Sequence, residues 1–194
     1  MPLSESQESR NRMFPNLLYK RGASLVQPHV LLDGRPASEA TARRERDLQE
    51  GIELLTRDVQ LNPERWQALW LIGKAHQAVD DRTNAYEALK GASALAPGEV
   101  DVARELCREC LALGHFEEAV SVADHAASLE PENGGLRSNL ALALLLVDDD
   151  DRASVEADEG VQLAPTDAVC RTVQQFVADV RSGQKPRQAF LDQV

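Results

Sequence analysis

Aromatic residues make up only 4% of this 194-residue chain, and it contains three cysteines. An odd number of cysteines without a regular spacing argues against a disulfide framework and is typical of reduced thiols. No apolar run approaches the length of a membrane span and no secretory signal is recognisable, so we expect a cytoplasmic protein. The sequence also lacks a phosphate-cradling glycine-rich loop, an H-E-x-x-H zinc motif and a G-x-S-x-G elbow. We therefore predict that the protein is not an enzyme and has no cofactor.

Basic residues are scarce over most of the chain, whose net charge is −11. Residues 1–62 carry nine basic and nine acidic side chains, whereas residues 63–194 carry 12 and 23. Nucleic acid and anionic membranes need neutralising Lys and Arg, so we expect neither as a partner. The excess charge indicates either solvated acidic helices or an acidic patch made for a basic partner.

What the chain does have is a repeat, marked by four prolines spaced 34 residues apart: Pro63, Pro97, Pro131 and Pro165. The stretches 66–97, 100–131 and 134–165 align in register, and a turn-forming or acidic residue recurs midway in each. Each unit is predicted to be a helix, a tight turn and a second helix that ends at the proline. Small residues that let paired helices approach closely recur at three positions: Gly73, Cys107 and Ala141; Ala85, Ala119 and Ala153; and Ala92, Ala126 and Gly160.

This period and pattern resemble the tetratricopeptide repeat (TPR) family, whose signature is W-x2-L-G-x2-Y, then A-x3-F, then P. The Leu-Gly place is filled by Ile72-Gly73, Leu106-Cys107 and Leu140-Ala141. The large aromatic residues of the family are replaced by His76, Cys110, Leu144, Leu89, Ala123 and Ala157. The resemblance implies an all-α fold, a right-handed helix-turn-helix repeat solenoid that forms a TPR-like superhelix, with helix interfaces less filled than in the family.

The repeat divides the chain into a domain at 38–182 and two flanking segments. A long helix is expected from an N-cap at Ser38 to about Leu61, in the phase of a second helix. Because Asp33-Gly34-Arg35-Pro36 falls where its partner would begin, that first helix is predicted to be missing or degenerate, and we count a half repeat at 38–63. Three full repeats and a capping helix at 166–182 follow, and residues 183–194 form a tail that we expect to be loose.

Residues 1–37 are predicted to be a disordered polar tail followed by an apolar arm. Between Met13 and Gly34 the arm carries many large apolar side chains but is broken by Pro15, Gly22 and Pro28. We expect it to be extended or partly helical. It would cover either the exposed face of the half repeat, at Leu48, Ile52 and Leu55, or the groove of the repeats, and adjacency in sequence favours the half repeat.

Two clusters could suggest a metal site. Cys107 and Cys110 form a C-x2-C pair followed by His115, but both cysteines fall on the packed face of a helix, so we predict buried structural thiols. The run Asp148 to Asp151 lacks the spacing of a calcium loop, and one of these aspartates is expected to cap the helix that starts near Arg152. We predict no metal.

The resemblance implies a protein-protein interaction module that binds a protein or peptide in a concave groove lined by first helices. We therefore predict a non-catalytic adaptor, scaffold or co-chaperone. The alternatives are an accessory or regulatory subunit of an enzyme complex and a small metal-binding protein using Cys107 and Cys110. The family register places these residues in the groove: Gln67, Trp70, Leu71, Lys74 and Gln77; Asp101, Arg104, Glu105 and Arg108; Ser138, Asn139, Leu142 and Leu145; and Val169, Thr172, Val173 and Phe176.

The arginines of this set have a second interpretation. Arg104 and Arg108 either bind a partner or pair on their own helix, at three- and four-residue spacing, with Asp101, Glu105 or Glu109. Lys74, Asn139 and the arginines partly match the family's clamp for a C-terminal carboxylate. Glu105 and the apolar Val169 and Val173 break that match, so a clamp is not predicted.

Overall fold

The computed structural model describes residues 16–30 and 41–189. Within these residues there are nine α-helices, short 3₁₀ stretches at Gln27–His29 and at 187–189, and no β-strand, which confirms the predicted all-α helical-repeat fold. The helices fall into two units, one ending at Leu95 and the other beginning at Ala96. The first unit contains α1 (Leu17–Val26), α2 (Ala42–Leu61), α3 (Trp66–Ala78) and α4 (Arg82–Leu95). The second contains α5 (Val100–Leu113), α6 (Phe116–Leu129), α7 (Gly134–Leu146), α8 (Asp150–Leu163) and α9 (Ala168–Arg181).

The turns inside the helix pairs share one backbone conformation. Asp80, Gly114 and Asp148 stand 34 residues apart and have φ angles of 58°, 78° and 62°. This left-handed conformation carries no Cβ penalty for glycine, and Asp tolerates it better than most residues. The predicted helix-turn-helix units are therefore confirmed at the residues that make each turn.

Small residues bring the helices of a pair together, as the sequence predicts. A Cβ atom on Gly73 of α3 would lie 2.7 Å from Cγ of Leu89 in α4, which is closer than real Cβ contacts come. In the second unit a Cβ atom on Gly160 of α8 would lie 2.7 Å from Oγ of Ser138 in α7. Interiors this dense have no room for an added methyl group without movement of the neighbour.

The prediction that the first helix of the first pair is missing or degenerate is wrong. Helix α1 packs against α2, and a Cβ atom on Gly22 would lie 2.8 Å from Cγ of Leu55. The glycine that seemed to interrupt the arm is therefore needed for close approach inside a helix pair. The connection from α1 to α2 spans residues 27–41, whereas the connection from α3 to α4 spans only residues 79–81. Because of the longer connection, α1 and α2 do not fit the 34-residue spacing of the other pairs.

The described part of the apolar arm covers α2, as the favoured prediction states. Ala23, Val26 and Val30 share a buried cluster with Leu48 and Leu55 of α2. Met13, Pro15 and residues 31–40 lie outside the described part of the chain.

The start of α2 also differs from expectation. Ser38 lies outside the described residues, and the helix begins at Ala42. The hydroxyl of Thr41 accepts a hydrogen bond from the backbone N–H of Arg44 at 3.1 Å. Thr41 is therefore the N-cap, because its side chain satisfies a donor that the first turn leaves without a helical acceptor.

Helix α9 closes the second unit and is capped by Asp167. The carboxylate of Asp167 accepts from the N–H groups of Val169 and Cys170 at 2.7 and 3.2 Å. The helix packs against both α7 and α8 and buries Val173 and Val177.

Residues 184–189, here called the strap, follow α9 and are held rather than loose. Arg187 donates to the carbonyl of Leu145 at 3.0 Å and pairs with Asp148 at 2.8 Å and with Asp150. Lys185 pairs with Asp179 at 2.8 Å. The expectation of a loose tail is thus wrong for the strap, because these ion pairs tie it to the α7–α8 turn and to α9. Residues 190–194 lie outside the described chain.

No helix in residues 16–30 or 41–189 combines the length and the apolar character needed to cross a membrane.

Candidate partner-binding face of the first helices

In the first unit only part of the predicted groove on α3 is displayed. Gln67 is exposed, and Trp70 and Gln77 are half-buried. Leu71 is 1% exposed and belongs to the cluster that contains Val26 of α1. The prediction that Leu71 contacts a partner is therefore wrong, because the helix thought to be absent covers it.

Lys74 was also assigned to the groove, but its side chain is not displayed. It is 3% exposed and lies within an unbroken run of five buried residues, from Leu71 to Ala75. A run of this length includes positions on every side of a helix, so α3 is enclosed around this point. The lysine already interacts with another group and is not a free cation.

In the second unit, Arg104 and Arg108 of α5 lie on the surface with side chains 47% and 42% exposed. Arg104 pairs with Asp101 at 2.7 Å and Arg108 pairs with Glu105 at 2.9 Å. The own-helix pairing of these arginines is thus confirmed. The Arg104–Asp101 pair is exposed on both sides, and exposed pairs at this spacing stabilise a helix by only about 0.2 to 0.5 kcal/mol. This pairing therefore does not prevent a carboxylate of a partner from taking over Arg104, whereas Glu105 is only 12% exposed and stays with Arg108.

Glu109, predicted only as a possible ion-pair partner, is a buried acid. It is 0% exposed, and Oε1 lies 3.5 Å from Nε of Arg108. The repeat register carried a signal, because the same position holds Ala75 in α3 and Ala143 in α7, both buried. Arg108 thus supports a buried carboxylate as well as lying on the surface, whereas Arg104 serves the surface alone.

Helix α7 displays little of what was predicted. Asn139 is half-buried, whereas Ser138, Leu142 and Leu145 are buried. Nine of the 13 residues of α7 are buried, because α8 packs on one side of the helix and α9 on another. Ser138 faces Gly160 of α8, so its hydroxyl lies inside the helix pair rather than in a groove.

On α9, Val173 and Phe176 are buried too, because they pack inward with the rest of the helix's apolar stripe. Both still border a pocket of about 400 Å³. Nζ of Lys185 lies 5.9 Å from the Phe176 ring centroid. Hydrogen bonds from Lys185 and Gln175 hold the pKa of Asp179 below its usual value, so this carboxylate fixes the lysine at the pocket. The pocket is lined by Val173, Phe176, Ala168, Arg171, Thr172, Gln175 and Lys185.

No family model and no curated protein matches the sequence. Solved structures do. A crystal structure of MamA superposes with a TM-score of 0.64 at 14% identity, over 79% of this chain and 91% of MamA. YrrB, described as a TPR protein with an unusual peptide-binding site, gives 0.63 at 12% identity over 75% of each chain. The first TPR domain of Spaghetti (RPAP3), bound to the HSP90 peptide SRMEEVD, gives 0.56 at 13% identity over 61% of this chain and 94% of that domain.

The chain has the tetratricopeptide-repeat fold. The resemblance drawn from Pro63, Pro97, Pro131 and Pro165 is thereby confirmed for the fold.

Cys107 and Cys110 occupy core positions, as predicted, and so does Cys170. Cys107, Cys110 and Cys170 are buried free thiols. Burial raises the pKa of the Cys107 thiol to about 12, so it stays protonated near neutral pH, whereas metals bind the thiolate. Within the described ranges, no three His, Cys, Asp or Glu side chains are grouped as a metal site.

The aspartate run of the third TPR unit is fully used by the fold. Asp149 accepts from the N–H of Arg152 at 3.3 Å and is the N-cap of α8, which confirms the predicted capping role. Asp148 and Asp150 bind Arg187 of the strap. Asp151 pairs with Arg181 at 3.1 Å.

Proposed function

We propose that this chain is a non-catalytic protein-protein interaction module that holds an acidic peptide or partner segment on the first-helix face of its second unit, formed by α5 and α7. The observation that carries the proposal is the pair of half-exposed arginines, Arg104 and Arg108, one turn apart on a first helix of a chain with net charge −11. Two proteins of similar fold are described as binding peptides, RPAP3 and YrrB, which supports the same kind of role here.

The proposed partner segment is acidic because one of its carboxylates replaces that of Asp101 at Arg104 and another binds the exposed part of Arg108 beside Glu105. Arginine is suited to this exchange, since its planar fork binds a carboxylate through two parallel hydrogen bonds. Asn139, half-buried on α7, adds a side-chain amide for the backbone of the segment. The segment gains affinity from charge and hydrogen bonds, because Leu142 and Leu145 are buried inside the unit.

In this proposal the chain acts as an adaptor, scaffold or co-chaperone in the cytoplasm, without catalysis or a cofactor. The scarcity of Lys and Arg supports a protein partner over nucleic acid or an anionic membrane, because both of these need many neutralising cations.

The test compares two arginine variants after the partner has been identified by co-purification and mass spectrometry. In isothermal titration calorimetry, Arg104→Ala is expected to lower the affinity for the partner segment about tenfold, equivalent to about 1.4 kcal/mol of binding free energy. The matched control is Arg152→Ala on α8, whose side chain is 54% exposed and also pairs with an aspartate three residues away. The control should bind as the unchanged protein does. Equal affinities for all three proteins would exclude the α5 face.

A further inference from the structure

Arg171 of α9 is the repeat equivalent of Arg137 of α7. Each arginine stands six residues after a repeat proline and donates to the carbonyl of that proline. Nε of Arg137 is 3.4 Å from the oxygen of Pro131, and Nη1 of Arg171 is 2.9 Å from the oxygen of Pro165. The two guanidinium groups are thus tethered in the same way, 34 residues apart.

The third repeat shows what an arginine at this position binds. Nη1 of Arg137 lies 2.9 Å from Oε2 of Glu156 and 3.2 Å from Oε2 of Glu159. Both carboxylates belong to α8, the second helix of the pair, and they are one turn apart. Arg137 therefore clamps a neighbouring helix through a Glu-x-x-Glu pair.

Helix α9 has no such neighbour among the described residues. In the repeat register a second helix would begin at Gln184, and the small residue that Ala119 and Ala153 supply would fall at Arg187. Arg187 instead bonds to the α7–α8 turn, and the strap does not form a second helix along α9. Arg171 remains exposed and takes part in no salt bridge within the described chain.

The face of α9 that is left open corresponds to the face on which the second helix packs in each of the other helix pairs. Ala168, Thr172 and Gln175 are exposed there and border the 400 Å³ pocket together with Arg171 and Lys185. Gln175 occupies the place of Gly73, Cys107 and Ala141, where a small residue is needed only if a helix lies close by. Lys185 is paired with Asp179, so Arg171 is the cation that this face offers to a partner.

We propose that this open face of α9 is a second interaction surface, which takes up a helix of a partner protein as the missing second helix. The partner helix carries two carboxylates one turn apart that bind Arg171, as Glu156 and Glu159 bind Arg137. The partner helix presents a small residue opposite Gln175, because the glutamine side chain fills space that the smaller Ala141 leaves free at the same position of α7. The surface is separate from Arg104 and does not depend on the function proposed for α5.

The probe for this surface is a helix of known sequence, α8 itself. A fluorescent, hydrocarbon-stapled peptide of residues 150–163, DDRASVEADEGVQL, is titrated with the full chain and followed by fluorescence anisotropy. Saturable binding is expected, and Arg171→Ala should weaken it about tenfold. A peptide with Glu156→Gln and Glu159→Gln should bind the unchanged protein about tenfold more weakly as well. Arg171→Glu combined with a Glu156→Lys, Glu159→Lys peptide should restore binding.

Arg104→Ala is the matched control, since it removes a similarly exposed arginine from a different helix and should leave peptide affinity unchanged. Circular dichroism melting establishes that Arg171→Ala is folded. Absence of saturable binding, or equal binding by Arg171→Ala and the unchanged protein, would overturn the proposal. It would also be overturned by a dimer that Arg171→Ala abolishes, which assigns the face to a second copy. Peptide binding that requires deletion of residues 190–194 would likewise assign it to the chain itself.

Discussion

Gly22 of α1 lies against Leu55 of α2 as closely as Gly73 of α3 lies against Leu89 of α4. The distances from an added Cβ atom to the leucine Cγ would be 2.8 and 2.7 Å. The same contact at the same register positions makes α1 and α2 a complete helix pair. Among the residues that the structure describes, the array in the first unit therefore includes α1, from Leu17, as well as the long helix α2.

Gly22→Val should destabilise the protein, because the added side chain meets Leu55 and the backbone of Gly51. Overpacking of this kind costs about 1 to 3 kcal/mol. The measurement is the free energy of unfolding from urea titration. Gly98→Ala is the control, since nothing lies within 4 Å of its added Cβ atom. Identical unfolding free energies for the two variants would show that α1 does not pack as described.

A buried ion pair joins the first two helix pairs. Asp58 is 1% exposed, at a register position where the other repeats have Ala92, Ala126 and Gly160, and Oδ1 lies 3.1 Å from Nη1 of Arg65. Arg65→Met should cost about 3 to 5 kcal/mol, because it leaves the carboxylate buried without its cation. Asp58→Ala combined with Arg65→Met should cost less than Arg65→Met alone. A double variant as unstable as the sum of the single variants would contradict this coupling.

The ion pair also predicts a pH dependence. Burial raises the pKa of Asp58 above its ordinary value of 3.8, so the folded state binds the proton more tightly than the unfolded state. The contribution of Asp58 to the free energy of unfolding therefore falls as pH rises from 3.8 through the raised pKa. Unfolding titrations over this range should show the loss in Arg65→Met to be smallest in acid. If the loss of unfolding free energy in Arg65→Met instead increased as pH fell, the pKa of Asp58 would not be raised by burial.

The strap should be released by acid. The hydrogen bond from Arg187 holds the pKa of Asp150 below its ordinary value of 3.8, so the stability that this carboxylate contributes is present above pH 3.8. It is lost as pH falls through the lowered pKa. Carboxyl titration by NMR should show the pKa of Asp150 rising in Arg187→Ala. Lys185→Ala, also on the strap but paired with Asp179, should leave it unchanged. An Asp150 pKa that is the same in Arg187→Ala would refute the contact.

The thiols should be inert in the native protein. Cys107, Cys110 and Cys170 are buried, and the raised pKa of Cys107 removes the reactive thiolate. A disulfide reagent at pH 8 should titrate all three only after denaturation. Cys107→Ala with Cys110→Ala should lower the free energy of unfolding by about 1 kcal/mol per site. Rapid native reaction, or stoichiometric zinc in the purified protein, would contradict a purely structural role.

The fold was predictable from sequence where the repeat is contiguous. Pro97, Pro131 and Pro165 place three pairs without ambiguity, because the turn, the small residues and the helix end recur at one spacing. The first pair was missed because residues 27–41 interrupt that spacing and because Gly22 was interpreted as a helix breaker. A glycine is also what a tight helix interface requires, and only the position of Leu55 separates the two interpretations.

The candidate site was less predictable, because burial depends on neighbouring helices. The register correctly put Arg104 on the surface of a first helix, yet Leu71 and Leu142 at related positions are buried by α1 and by the packing of α8 and α9. The equivalence of Arg137 and Arg171 was present in the sequence. The sequence does not show, however, that Arg137 binds the carboxylates of Glu156 and Glu159 on α8, because this contact depends on how α7 and α8 pack.

Hydrogen-deuterium exchange of the chain with its identified partner segment tests the central claim most directly, because it reports which helices the partner covers. The account predicts slower exchange in α5 and α7 at residues 100–113 and 134–146, with α6 and α8 unchanged. The Arg104→Ala variant should lose most of this protection at the same partner concentration. Protection confined to α6 and α8 would contradict the assignment of the first-helix face.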